Sequence, residues 1–295
     1  MKRIITLSMV IAVIALAAVV SVLAAGGNHA PDARSNHAHA IVRAHAGATK
    51  SLASEPEQGE FRWHEAMAAG RVIEVKGVNG SVEAEPSSGN EVEVVAVKHA
   101  RRSNPEDVRI EVVRHDDGVT ICAMYPNVER QGANTCEPGR HGHMNVQNND
   151  TTVNFTVRVP AGVRFSGRTV NGKVEANNLS ADVDATTVNG SINVSTTGLA
   201  RANTVNGSIV AVMGRADWPE ELEFKTVNGG IDLSFPASLS AQVEAKTLNG
   251  SISTDFPLTV TGSFSHRHLT GTIGGGGRDL RLETVNGSVQ IRRAS

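Results

Sequence analysis

The sequence predicts an all-β domain built as a solenoid-like stack of short strands. Three observations carry that reading. A tetrapeptide, Thr-(Val/Leu)-Asn-Gly, returns six times between Thr169 and Gly287. Residues flanking each copy alternate between apolar and polar types, the signature of strands buried on one face. And 40% of the 295 residues are hydrophobic while only 3% are aromatic, so the core must be built from Val, Ile, Leu and Ala.

The copies are Thr169–Gly172, Thr187–Gly190, Thr204–Gly207, Thr226–Gly229, Thr247–Gly250 and Thr284–Gly287. Their predicted corners are Asn171 and Gly172, Asn189 and Gly190, Asn206 and Gly207, Asn228 and Gly229, Asn249 and Gly250, and Asn286 and Gly287. An isolated early copy supplies Asn79 and Gly80. A degenerate copy, Leu269-Thr270-Gly271, fills the gap before the last. Including it, successive steps from Asn171 are 16 to 22 residues. Val183, Ala185 and Thr187 precede one Asn at every second position; Ile192 and Val194 follow it in the same rhythm.

Two architectures satisfy this pattern. Asn-Gly could form the two-residue turn of a β-hairpin, giving repeated hairpins in a sandwich or prism. Alternatively, each copy is one coil of a β-solenoid with Asn-Gly at a corner. The solenoid is favoured because the residue before Asn is Val or Leu in every clean copy, whereas a flat hairpin would expose it. A bend between Thr and Val would turn both inward. Near-identical sequence at near-constant step also suits rungs that pack on their own likeness. Stacked Asn and Thr columns are expected to form hydrogen-bonded ladders, as side-chain amides do in cross-β arrays. Gly207 is expected in a left-handed corner conformation. Seven or eight rungs predict a stack roughly 35 Å long.

Taken from the start, Lys2 and Arg3 precede an uncharged, mainly apolar run from Ile4 to Leu23, followed by Ala24-Ala25-Gly26-Gly27. Residues 1–25 therefore read as a signal peptide or an N-terminal membrane anchor. Residues 26–59, rich in Ala, His, Ser, Gly and Glu, read as a disordered linker. The β-repeat domain is assigned to 60–293. Its first half is also strand-like, from Val72, Val75 and Val78 to Glu91-Val92-Glu93-Val94, with Phe61 and Trp63 placed to cap one end of the stack. Cys122 and Cys136 flank a segment of turn formers. Beyond an export signal they read as a structural disulfide; a redox or metal-binding pair is the rival, without C-x-x-C spacing.

Charge and the remaining motifs exclude several functions. The net charge of −2 and pI near 6.6 lack the basic excess of a nucleic-acid binder. Two cysteines cannot form a four-thiolate zinc site. His141 with His143, and His266 with His268, are two-ligand fragments at most. Gly274–Gly277 has no following Lys-Ser/Thr and reads as a flexible turn. Asp217, Glu220, Glu221 and Glu223 around Trp218 read as a solvated loop, with a cation or sugar contact as the functional alternative. No catalytic residue, cofactor or metal is assigned.

The Thr-Val-Asn-Gly-x-(Ile/Val) units, the segment Val119–Pro126 with downstream Cys136, and the Val159-Pro160-Ala161-Gly162 turn together resemble the exported putative-adhesin (toast-rack) family of β-strand-repeat domains. The resemblance covers residues 60–293. It implies a β-solenoid-like exported domain of unknown function, sometimes associated with cell-envelope stress systems, and no catalytic residues.

The expected function is a non-enzymatic exported module that binds an envelope or extracellular protein or glycan. Localisation is periplasmic, cell-surface or secreted, with membrane contact only through an uncleaved N-terminal segment. Columns Arg168, Lys225 and Lys246, or Asp184, Glu223 and Glu244, are the candidate faces. An envelope-stress sensor or scaffold partnering a membrane protein is the second reading, and a polysaccharide-active β-helix enzyme the third.

Overall fold

Each Thr-x-Asn-Gly unit joins a strand of one sheet to a strand of a second, facing sheet. A computed structural model describes residues 59–128 and 132–294; the leader and all but the last residue of the linker lie outside the described residues. In chain order the strands begin with β1 (Glu60–Ala66), β2 (Val72–Lys76), β3 (Val82–Pro86), β4 (Glu91–His99), β5 (Arg109–His115), β6 (Gly118–Met124) and β7 (Thr152–Val159). They continue with β8 (Arg164–Arg168), β9 (Val174–Leu179), β10 (Val183–Thr186), β11 (Ile192–Thr196), β12 (Ala200–Asn203), β13 (Ile209–Met213) and β14 (Leu222–Lys225). The last are β15 (Ile231–Phe235), β16 (Ala241–Lys246), β17 (Ile252–Thr254), β18 (Leu258–Ser265), β19 (His268–Ile273), β20 (Asp279–Glu283) and β21 (Val289–Arg293).

Sheet A has the order β1-β4-β7-β3-β9-β11-β13-β15-β21-β17, and sheet B the order β18-β19-β16-β20-β14-β12-β10-β8-β2-β6-β5. Strands of the repeat pair in parallel, Ile192 beside Ile209 and Ile209 beside Ile231. One coil is thus two strands, one per sheet, and the solenoid-like stack replaces the hairpin alternative. Antiparallel strands extend both ends. Ten strands at about 4.8 Å span roughly 45 Å, longer than repeat counting gave because the end strands carry no repeat signature.

The alternation decides which side chains enter the core. On β13, Ile209, Ala211 and Met213 are buried while Val210 and Val212 are exposed. A ring in this core needs room made for it: a Cβ on Gly167 would lie 3.0 Å from Phe165 Cε1. That is why small branched residues dominate. Phe61 and Trp63 lie on the end strand β1, half-buried against the core.

The rung order differs from the sequence order. Bridges run Asn79–Asn171–Asn189–Asn206–Asn228–Asn286–Asn249. The early copy stacks directly on Asn171, and the last copy inserts between the two that precede it. Leu269-Thr270-Gly271 is not a rung; it lies within β19, antiparallel to β16. Without Asn-Gly that segment has no corner to turn, so it stays in sheet B.

Candidate functional site

The corner column is held by side chains that the repeat supplies in every copy. Asn171 Nδ2 donates to Asn79 Oδ1 at 2.8 Å, Asn189 to Asn171 at 2.8 Å, Asn206 to Asn189 at 2.7 Å and Asn228 to Asn206 at 2.7 Å. Asn286 then donates to Asn228 and Asn249 to Asn286, both at 2.7 Å. The Thr column is buried but does not ladder with itself. Thr187 Oγ1 donates to Gly172 O at 2.8 Å, Thr204 to Gly190 O at 2.9 Å and Thr226 to Gly207 O at 2.8 Å. A threonine hydroxyl is too short to reach its neighbour one rung away, while the glycine carbonyl between them is near.

That carbonyl also explains the glycines. A Cβ on Gly172, Gly190, Gly207, Gly229 or Gly287 would lie 2.0 Å from the carbonyl oxygen of the corner glycine in the preceding rung, and one on Gly250 1.9 Å. Among the seven corner glycines only Gly80 has a left-handed φ, +125°. The left-handed corner expected at Gly207 is therefore absent, and close rung approach selects glycine there instead. Nor does the bend bury both Thr and Val: Thr187 and Thr204 are buried, while Val188 and Val205 are half-buried on the outer rim.

The outer face of sheet B carries the charged columns, but they are not of one sign. Register aligns Ser166, Asp184, Arg201, Glu223, Arg281 and Glu244 in one column. The neighbouring column runs Lys76, Arg168, Thr186, Asn203, Lys225, Glu283 and Lys246. Arg201 and Arg281 interrupt the acidic series, and Glu283 the basic one. Opposite charges across neighbouring strands support one another. Arg281 reaches Glu244 at 3.1 Å, Glu244 also pairs with Lys246, and Arg168 reaches Asp184 at 3.3 Å. The Lys246 ammonium, reinforced by Arg281, holds the Glu244 carboxyl below the usual carboxylate range.

At the first rung this face is covered by the disulfide loop. Cys122 on β6 is bonded to Cys136, with Cα atoms 5.9 Å apart. The loop buries Glu74, whose Oε2 accepts from Thr120 Oγ1 and Gly139 N, both at 2.9 Å, while its Oε1 accepts from Arg168 Nε at 3.1 Å. Lys76 Nζ donates to the carbonyls of Glu137, Gly139 (2.7 Å) and His141 (3.1 Å). Burial pulls the Lys76 ammonium pKa down against the opposing pull of Glu74. Sequence reasoning missed this clamp. Glu74 sits at an outward position of Val-Ile-Glu-Val-Lys, and nothing local announces that a loop 65 residues away will cover it.

The other motifs do not converge. Trp218 is buried, packs on Phe235 at 5.9 Å and donates Nε1–H to Asp279 O at 3.0 Å, so its ring is unavailable to stack a sugar. Asp217 pairs with Arg215, Glu221 with Arg281 and Glu223 with Lys225. His143 lies 2.6 Å from the Asn145 amide, and His268 3.3 Å from Thr270 Oγ1. Among the described residues no three His, Cys, Asp or Glu side chains gather where they could hold a metal.

No curated protein matches the chain. Solved structures similar to it include a "putative cell adhesion protein" of Clostridium sporogenes (9% identity, 80% of this chain and 100% of that one, TM-score 0.36). A "putative adhesin" of Bacteroides fragilis is similar too (11% identity, 81% and 99%, TM-score 0.30), as is one of Parabacteroides distasonis (14%, 80% and 98%, TM-score 0.31). The Toastrack DUF4097 family model matches residues 74–292, a span that includes all seven stacked corners, and the chain belongs to that family.

Proposed function

We propose that this protein is a non-enzymatic, exported binding and structural module of the cell envelope. The observation that carries the proposal is the ladder-locked stack of seven corners, which fixes on the outer face of sheet B one column of alternating charge, Asp184–Arg201–Glu223–Arg281–Glu244, beside a mixed one. A surface held by parallel backbone pairing is preorganised, so a partner matching its alternating charges binds without ordering loops first. Export is supported by the leader pattern of Lys2-Arg3 and the apolar run from Ile4 to Leu23, and by the Cys122–Cys136 disulfide, a bond that persists in oxidising compartments.

The test is co-sedimentation of the purified protein with isolated envelope fractions across a salt series. Binding should be saturable and weaken as salt rises, and Arg201→Glu, which reverses one charge midway along the column, should weaken it severalfold. Equal retention of that variant would count against the sheet B face. Release of reducing ends from envelope glycans would instead reveal an enzyme.

A further inference from the structure

The two ends of the stack are finished differently. Beyond the Asn79 rung, sheet A continues with β7, β4 and β1, and sheet B with β6 and β5. Val153 N donates to Asn79 O at 2.7 Å, and buried Tyr125 donates its hydroxyl to Thr151 O, two residues before Val153, at 2.7 Å. The ladder is capped there. Beyond the Asn249 rung, sheet B continues with β19 and β18, but sheet A stops at β17, three residues long.

Each internal corner turns the same five groups toward the next rung. In the Asn206 rung, Val205 O accepts from Val227 N (3.2 Å) and Asn228 N (2.8 Å), and Gly207 N donates to Asn228 O (2.9 Å). Asn206 Oδ1 accepts from Asn228 Nδ2 (2.7 Å) and Gly207 O from Thr226 Oγ1 (2.8 Å), while Ile209 N donates to Gly230 O (2.9 Å). Their counterparts in the last rung are Leu248 O, Asn249 Oδ1, Gly250 N, Gly250 O and Ile252 N. Among the described residues none of these has a partner. The side chains tell the same story: Leu248 is 58% exposed where Val205 and Val227 are half-buried, and Ile252 is half-buried where Ile209 and Ile231 are buried. Edge strands are commonly blunted by charge or proline, yet Leu248 to Thr254 contains neither.

We propose that this open corner and the β17 edge receive, in parallel, an extended segment of a partner protein bearing Thr-(Val/Leu)-Asn-Gly-Ser-(Ile/Val). Its Asn main chain and amide, its Thr hydroxyl and its Ser carbonyl meet the five open groups, and its Val or Leu covers Leu248. This is strand addition to a sheet edge, with main-chain bonds giving affinity and side chains giving specificity. A second copy of this chain does not fit head to tail: its seven corners are already stacked, and its other end is closed by β7, whose Val153 N already donates to Asn79 O. The proposal adds a peptide site to the binding module described above, and peptide binding is read separately from envelope binding, so either can fail alone.

The probe is a fluorescent peptide with the sequence of Leu282–Arg293, titrated with the full-length protein by anisotropy. Saturable binding is expected. It should weaken at least tenfold for a peptide with Asn286→Leu and Gly287→Val. It should weaken as much for the protein variant Ile252→Pro, which removes the outward edge donor. Leu248→Lys, at an exposed side chain, should weaken binding severalfold without changing the melting temperature. That keeps the test valid if Ile252→Pro misfolds. No binding by the parent protein would overturn the proposal. So would equal binding by both edge variants, because exchange with the chain's own Asn286 rung, whose sequence the peptide copies, would ignore them. A dimer that Leu248→Lys converts to monomer would show that the edge is occupied by a second copy, overturning the assignment to a partner.

Discussion

Gly207→Ala separates two explanations for a repeated glycine. The new Cβ would stand 2.0 Å from Gly190 O and 2.4 Å from Gly190 C, where ordinary contact begins near 3.4 Å. Both obstacles are backbone, so relief requires the two rungs to part by more than about 1 Å. Three of the hydrogen bonds that join the two rungs lie at that point: Gly190 N to Asn206 O at 2.9 Å, Thr204 Oγ1 to Gly190 O at 2.9 Å and Asn206 Nδ2 to Asn189 Oδ1 at 2.7 Å. Such a parting stretches them beyond hydrogen-bonding range. Each is worth about 1 kcal/mol net, and leaving the buried Thr204 hydroxyl unsatisfied costs about 1–2 kcal/mol more. The total of roughly 4–5 kcal/mol lowers the melting temperature by roughly 10–15 °C in a domain of this size.

Two controls make the comparison decisive. Gly70 has φ +83° with nothing within 4 Å of a built Cβ, so Gly70→Ala incurs only the left-handed penalty of about 1–2 kcal/mol. Gly89 has open space and no left-handed φ, so Gly89→Ala should be near neutral. Thermal melts followed by circular dichroism should rank Gly207→Ala far below Gly70→Ala, and that below Gly89→Ala. If Gly207→Ala melted at or above Gly70→Ala, the argument from rung approach would be wrong.

Other perturbations address the loop and the capped end. Cys136→Ser should cost about 3 kcal/mol in urea denaturation, the chain-entropy value for a loop of this length; a loss under about 1 kcal/mol would show that the bond contributes little. Glu74→Ala leaves Lys76 under the loop without its carboxylate and Arg168 with Asp184 alone, and should cost about 3 kcal/mol, with faster amide exchange at Gly139; an unchanged urea midpoint would refute the clamp. Burial pushes the Tyr125 hydroxyl up to about 12. Because the folded pKa lies above the unfolded value near 10, this stabilisation is complete below pH 10 and is lost as pH rises toward 12. Wild type should therefore lose stability more steeply than Tyr125→Phe between pH 10 and 12, and parallel curves would contradict the shift.

Much of the candidate surface was legible because its information is local. Thr187 through Val194 state their own alternation and their own turn, and each copy repeats the code for its neighbour. Parity likewise placed Arg168, Asp184, Lys225 and Glu244 on an outer face. Yet the interruptions by Arg201, Arg281 and Glu283 emerged only from strand order, which parity does not contain. The same limit applied to glycine. Asn-Gly is a good turn in isolation, so a local reading assigns Gly207 to an unusual φ, whereas its actual constraint is another rung's carbonyl.

By itself, then, the sequence determined that this chain stacks short strands around Thr-x-Asn-Gly corners, with small branched residues inside and polar ones outside. Those properties follow from backbone periodicity and from side chains that recognise their own likeness. Only the tertiary structure decided which likeness each rung meets. Asn79 stacks on Asn171 across 92 residues, Asn286 slips between Asn228 and Asn249, and β7 closes one end through Val153 while Leu248 stays bare at the other. Near-identical corners offer nearly equal local pairing energies, so the choice among them rests on long-range packing: the disulfide loop at one end, and β19 and β20 on either side of β16 at the other.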